Sequence, residues 1–210
     1  MGHKIKENNV PVGTWGNKYD SKNPIKNRLL KDFIETIISF AQEVENEIET
    51  ICEFGCGEGY VTSRLGKAFP GKKITGTDYS DQIVDYAREH NSTSNITYKV
   101  KDVYEISEHD KADLILCCEV LEHLEEPERA VANLAKATSK FAIISVPREP
   151  HWRLLQMASL NHVTALGNTP GHINHWSSQS ITNLLQKYFD ILKVKTPLPW
   201  TVIIAKRKNN

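Results

Sequence analysis

Short apolar runs alternate along this chain with longer segments whose apolar residues recur at helical spacing, and this alternation restricts the fold more than any other feature. Residues 50–54, 73–77, 96–100, 112–118 and 140–146 have the length and composition of buried strands. Before them, residues 24–45 set Leu29, Leu30, Phe33, Ile34, Ile37, Ile38, Phe40 and Ala41 on one helical stripe. Further helices are expected through Val61, Leu65 and Ala68, over 80–90 with Ser80 as N-cap, and over 128–137. Strands alternating with helices imply a parallel sheet covered on both faces. A last helix over 178–188 and two strands, 189–195 and 200–206, joined through Pro197-Leu198-Pro199, predict a hairpin that makes one sheet edge antiparallel.

Residues 148–177 break the rhythm. A segment of that length, dense in His, Trp and Arg, reads as a helical lid or binding loop inserted after the fifth strand. At 210 residues the chain is expected to form one domain, with residues 1–48 as a helical cap, and to bury about 70% of its unfolded surface without disulfides or metal. No apolar run approaches the ~18–20 residues of a membrane span. No hydrophobic stretch follows Met1, so no signal peptide is expected. The four cysteines, Cys52, Cys56, Cys117 and Cys118, sit in two local clusters, which suits reduced thiols in the cytoplasm. Cys117 and Cys118 should point to opposite sheet faces, which argues against zinc.

The chain carries 26 basic and 26 acidic residues, and neutrality argues against bulk binding to nucleic acid or anionic membrane. It is a cancellation, however. Residues 101–130 hold 10 acidic and 3 basic side chains, and residues 131–210 hold 10 basic and 2 acidic ones. The acidic stretch suits a cationic ligand, and the basic one, with Arg148 and Arg153 in the lid, suits an anionic one.

The chemistry gathers at the ends of the strands. Glu53-Phe-Gly-Cys-Gly-Glu-Gly59 follows a strand and opens a helix, where glycines admit close backbone approach and the helix N-terminus offers N–H donors. Tyr60 stands where a dinucleotide fingerprint wants its third glycine, which counts against NAD or FAD. Asp78 ends the second strand about twenty residues on, where a carboxylate accepts both ribose hydroxyls of an adenosine-bearing ligand. Asp102 ends the third strand, within reach of an adenine amino group. Taken singly, each carboxylate reads equally as a cap of the following turn.

Together, Glu53-x-Gly55-x-Gly57-x-Gly59, Thr77-Asp78-Tyr79-Ser80, Lys101-Asp102-Val103 and Cys118-Glu119-Val120-Leu121-Glu122-His123 resemble the ordered motifs of class I S-adenosylmethionine-dependent methyltransferases. The resemblance implies a Rossmann-like three-layer α/β sandwich whose seven-stranded, mostly parallel sheet runs 3-2-1-4-5-7-6. It further implies that Gly55, Gly57 and Gly59, with Glu53 and Cys56, line the methionine moiety. Asp78 and Tyr79 would meet the ribose, Asp102 and Val103 the adenine, and Cys118 and Glu119 the transferable methyl. Tyr19 resembles a residue that covers the cofactor in related enzymes.

S-adenosylmethionine brings its own activated methyl, so the protein would mainly position and desolvate, and a weak nucleophile would also need a base. His123 is the candidate, either as that base or as a residue capping its turn. Glu119, Glu122 and His123 also have metal-ligand character, with His172 or His175 from the lid. That set resembles the small-RNA 2′-O-methyltransferases, which use two Glu and two His for a divalent metal, and the quinone-pathway O-methyltransferases. Against this, Glu122 and Glu125 read equally well as solvated carboxylates near a helix N-terminus, and no metal is expected. Arg148, His151, Trp152, Arg153, His172, His175 and Trp176 are the candidate substrate contacts, with the apolar side of the lid packed. A small-molecule acceptor at oxygen or nitrogen is therefore expected. The alternatives are an RNA 2′-O-methyltransferase with the Glu/Glu/His metal site, and a non-catalytic S-adenosylmethionine-binding module.

Overall fold

A computed structural model describes residues 3–7, 10–15, 23–158, 169 and 171–208. Its first two strands, β1 (His3–Glu7) and β2 (Val10–Trp15), pair antiparallel. Within the 1–48 segment the described residues thus include two paired strands before the helix, where a helical cap was expected. Alternating apolar and polar residues such as Lys4-Ile5-Lys6 carry the period of a strand, a signal too short to stand out from sequence.

Helix α1 (Pro24–Glu43) starts where the sequence stripe starts. Asn23 accepts the N–H groups of Ile25 and Lys26 at 2.9 and 3.3 Å, and Pro24 occupies a position that needs no donor. Its buried face, Leu30, Phe33, Ile34, Ile37, Phe40 and Ala41, packs on one side of the sheet. Each large side chain buried there contributes about 1.5–3 kcal/mol.

The main sheet comprises β3 (Thr50–Phe54), β4 (Lys73–Asp78), β5 (Ile96–Val100), β6 (Ala112–Cys118), β7 (Thr138–Pro147), β8 (Phe189–Lys195) and β9 (Trp200–Arg207). The spatial order is β5-β4-β3-β6-β7-β9-β8, which is 3-2-1-4-5-7-6 counted from Thr50. Strands β5 to β7 pair parallel through β4, β3 and β6, while β9 pairs antiparallel with both β7 and β8. Helices α2 (Tyr60–Ala68), α3 (Asp81–His90) and α4 (Pro127–Ala137) fill the crossovers, α5 (His151–Ala158) follows β7, and α6 (Ser178–Leu185) precedes β8. Ser80 caps α3 through the Ile83 N–H, as the sequence indicates. Cys118 joins the core on the α1 face and Cys117 the core on the other face, as the two-residue period requires. All four cysteines are free and buried, and burial pushes the Cys52 thiol up to about 12. Because β3, β4, β5 and β6 run parallel and adjacent, everything that follows them meets along one carboxyl edge of the sheet.

Candidate active site

The turn after β3 lies at the centre of that edge. Gly55, Gly57 and Gly59 all have positive φ, of 75°, 52° and 78°. A Cβ on Gly55 would run into the side chain of Val120, whereas one on Gly57 would meet nothing within 4 Å, so the turn presents open space at its tip. The amides of Gly55 and Cys56 both donate to the Thr77 carbonyl at 2.8 Å, tying the turn to β4. Asp78 completes the tie. Its two oxygens accept the Gly57 N–H at 2.9 Å and the Ser80 N–H at 3.2 Å. Asp102 likewise accepts the Tyr104 N–H at 2.8 Å, so both carboxylates do cap the turns that follow them. Capping and ligand binding are compatible, since a carboxylate offers about four lone-pair sites.

Beneath the turn Glu53 is buried and accepts a hydrogen bond from Thr62 Oγ1. Burial, with the neighbouring Asp78 charge adding to it, pushes its carboxyl from 4.5 up to about 8. The folded protein therefore keeps a proton that the unfolded chain releases above 4.5. Stability should fall as pH rises from about 5 to 8, by on the order of 4 kcal/mol, and level off above that. Glu53→Gln is expected to flatten this dependence, and urea midpoints measured across the range check it; an unchanged slope contradicts the assignment. Tyr98, which sequence reading passes over, supports the turn from below. Its hydroxyl lies against the Asn91 and Gly59 carbonyls at 2.8 and 3.3 Å.

At the end of β6, Glu119 has a φ of 60°, the only positive φ on a non-glycine residue among those described. Held strain of this kind clusters at functional sites. Its carboxylate accepts the Trp200 indole N–H at 2.6 Å and the Ser145 hydroxyl at 3.2 Å. Trp200 packs in turn on Phe33 of α1, with ring centroids 4.6 Å apart. Nothing in the local sequence around Trp200 marks it as a partner of Glu119; only the insertion of β9 beside β7 makes the contact.

The next turn is held to the segment before α6. The amides of Ile173 and Asn174 donate to the Glu122 carbonyl at 2.9 and 3.0 Å, and the Asn174 side chain donates to the Leu121 and Leu124 carbonyls. This strap brings His172 to His123, edge to face at 4.8 Å, and stacks His172 on Trp152 at 5.5 Å. His123 Nδ1 lies 2.9 Å from the Gly171 carbonyl and its Nε2 3.9 Å from Glu122 Oε1. Glu122 is 1% exposed, which corrects the reading of it as a solvated carboxylate; Glu125 is exposed as read. The turn after β6 folds Glu122 inward beneath the strap, which a first-turn pattern does not reveal. One donor atom each from Glu122, His123 and His172 lie within 4.8 Å of one another, a set able to hold a divalent cation.

Other candidates disperse. His175 turns to Arg153, at 3.4 Å, and His151 is exposed at the start of α5. Tyr79 is largely exposed, and Val103 and Cys118 are buried. Tyr19 lies outside the described residues. The apolar side of the lid is not packed as expected: Leu154 is 60% and Met157 37% exposed, while Trp152 packs against the core.

Comparison with known proteins gives a consistent result. A family model described as a methyltransferase domain matches residues 25–191. The malonyl-[acyl-carrier protein] O-methyltransferase of Bacillus cereus is 27% identical over 106 residues, 50% of this chain and 39% of that protein. The ubiquinone biosynthesis O-methyltransferase of Coxiella burnetii is 34% identical over 98 residues, 45% of this chain and 41% of that protein. The chain thus spans about two fifths of the length of these curated relatives. Among solved structures, the magnesium protoporphyrin IX methyltransferase of Synechocystis with bound S-adenosylhomocysteine superposes with a TM-score of 0.70 at 20% identity, covering 92% of this chain and 91% of that one.

Proposed function

From its membership of the methyltransferase-domain family, whose class I enzymes use S-adenosylmethionine, we propose that this chain transfers the methyl group of S-adenosylmethionine to an oxygen or nitrogen of a small-molecule acceptor. The observation that carries the reading is one edge of one sheet. The glycine turn, Asp78, Asp102 and Glu119 end four adjacent parallel strands, and Asp78 is already bonded to the Gly57 amide. In this reading the cofactor's methionine end lies over Gly57, its ribose against Asp78 and its adenine beside Asp102 and Val103. The sulfonium faces Glu119. Free, buried thiols suit a reducing compartment. Calorimetric titration tests the cofactor: S-adenosylhomocysteine should bind with a saturable heat and NAD should not, and the reverse would overturn the assignment.

His123 is the residue for the acceptor's proton. A carbonyl only accepts, so the Gly171 contact fixes the proton on Nδ1 and leaves Nε2 basic, with the buried Glu122 beside it to stabilise the imidazolium. His123→Ala is expected to lower turnover by about 10²–10⁴-fold with S-adenosylhomocysteine affinity unchanged. Unchanged turnover at saturating acceptor would return His123 to a structural role.

A second reading uses Glu122, His123 and His172 as ligands of a divalent cation that would lower the pKa of the acceptor hydroxyl. The mutual approach of the three donors favours it. Its RNA-directed form would take Glu119, which also accepts hydrogen bonds from Trp200 and Ser145, as a further ligand. Activity lost on exhaustive chelation and restored by a divalent ion would select this reading, and activity that survives chelation would dismiss it. Among the described residues no helix is long and apolar enough to cross a membrane.

A further inference from the structure

Exposure alternates along the strap that precedes α6. His172 is 9% exposed and Ile173 55%, Asn174 is half-buried, His175 is exposed and Trp176 is half-buried. The inner side of the strap therefore carries a histidine and an asparagine, while its isoleucine stands in solvent. A segment recruited only for packing would turn the isoleucine inward and the asparagine outward. The inverted order points to a polar task beneath the strap.

Asn174 performs that task. The turn after β6 is one short 3-10 turn, Leu121–His123, and so short a helix leaves its carbonyls in need of donors. The strap supplies them. The Ile173 and Asn174 amides reach the Glu122 carbonyl at 2.9 and 3.0 Å, and the Asn174 side-chain amide reaches the Leu121 carbonyl at 3.2 Å and the Leu124 carbonyl at 2.6 Å. An NH2 group carries two protons, so this one side chain bridges the backbone on both sides of His123. The His123 ring is held from the same strap. Its Nδ1 lies 2.9 Å from the Gly171 carbonyl, and His172, stacked on Trp152, meets it edge to face.

We propose that Asn174 is a positioning residue for methyl transfer: by tying the carbonyls on either side of His123 to the strap, it keeps the Gly171 carbonyl on Nδ1 and aims Nε2 at the acceptor's proton. The inference rests on the reading of His123 as the base. Asn174 acts through His123 and is given no contact with cofactor or acceptor. Proton acceptance depends first on geometry, and a misplacement of about 1 Å can cost about 100-fold in rate. The tautomer depends on the same tie. A neutral ring protonated on Nδ1 is the form that free histidine disfavours, so it persists only while the Gly171 carbonyl stays in place.

Two variants remove the donors, Asn174→Ala without added charge and Asn174→Asp in nearly the same shape. With methyl-labelled S-adenosylmethionine and the acid-soluble fraction of a cell extract as probe, each should slow label transfer by about 10- to 100-fold, with S-adenosylhomocysteine affinity unchanged. Placed on His123→Ala, the same substitutions should slow transfer further by no more than about twofold, because the group they misplace is gone. The ring-nitrogen chemical shifts of His123, assigned by their loss in His123→Ala, give a measure independent of activity. In chelated buffer at about pH 9, above the imidazole range, the wild type should hold the Nδ1–H form and both Asn174 variants should return toward the Nε2–H form. The proposal is overturned by wild-type transfer in folded Asn174 variants, by equal slowing with and without His123, or by an Nε2–H ring in the wild type. Asn174 variants that lose S-adenosylhomocysteine binding would assign the residue to the fold and overturn it as well. Wild-type transfer by His123→Ala overturns the base reading instead, and the tautomer comparison then decides whether Asn174 orients the ring.

Discussion

Asp78→Ala should weaken binding of S-adenosylhomocysteine by roughly 100- to 1000-fold, the largest effect expected of any single side chain on cofactor binding. The carboxylate acts twice. It is the group assigned to the ribose hydroxyls, and it fixes the Gly57 amide from one oxygen and the Ser80 amide from the other. Each charge-assisted hydrogen bond is worth about 1.5–3 kcal/mol, so loss of ribose contact and slackening of the turn together reach about 3–4 kcal/mol. Asp78→Asn should be intermediate, because an amide can satisfy only one of the two backbone donors. Calorimetry on folded variants measures all three proteins; an Asp78→Ala protein that binds as the wild type does would remove Asp78 from the site and reduce it to a cap.

Gly55→Ala is expected to be much more damaging than Gly57→Ala two residues on. The residue has a φ of 75°, and an added Cβ would overlap the Val120 side chain. A left-handed alanine costs about 1–2 kcal/mol, and overpacking typically adds about 1–3. A loss of roughly 3 kcal/mol lowers the melting temperature of a chain this long by about 6–12 °C. Gly57→Ala, with a φ of 52° and no atom within 4 Å of the new Cβ, should lose only the backbone part. Adding Val120→Ala to Gly55→Ala should recover the overpacking part, which thermal melts of the double-mutant cycle can read. Equal melting temperatures for the two glycine variants would show that the Val120 contact is not what constrains Gly55.

The fold was largely legible because its information is local. Short apolar runs and helical stripes mark β3 to β9, α1 to α4 and α6, and the four cofactor motifs follow strands, where a parallel sheet gathers them on one edge. What escaped reading is what depends on distant pairing. Trp200 reaches Glu119 only because β9 lies between β7 and β8. Glu122 is buried because Asn174, about fifty residues on, clamps the turn that carries it. The exposure of Leu154 and Met157 shows the same limit from the other side: the lid's apolar side was expected to be packed, but whether anything covers a stripe depends on distant parts of the chain.

The account stands on methyl transfer to a small molecule. The direct measurement incubates the protein with methyl-labelled S-adenosylmethionine and a cell extract, then separates acid-soluble metabolites from RNA and protein. Label should pass to an acid-soluble product, and His123→Ala should abolish most of it. Label that stays on the cofactor while the cofactor binds would identify a binding module, and label in a ribonuclease-sensitive fraction would identify an RNA methyltransferase. Either result would contradict the account.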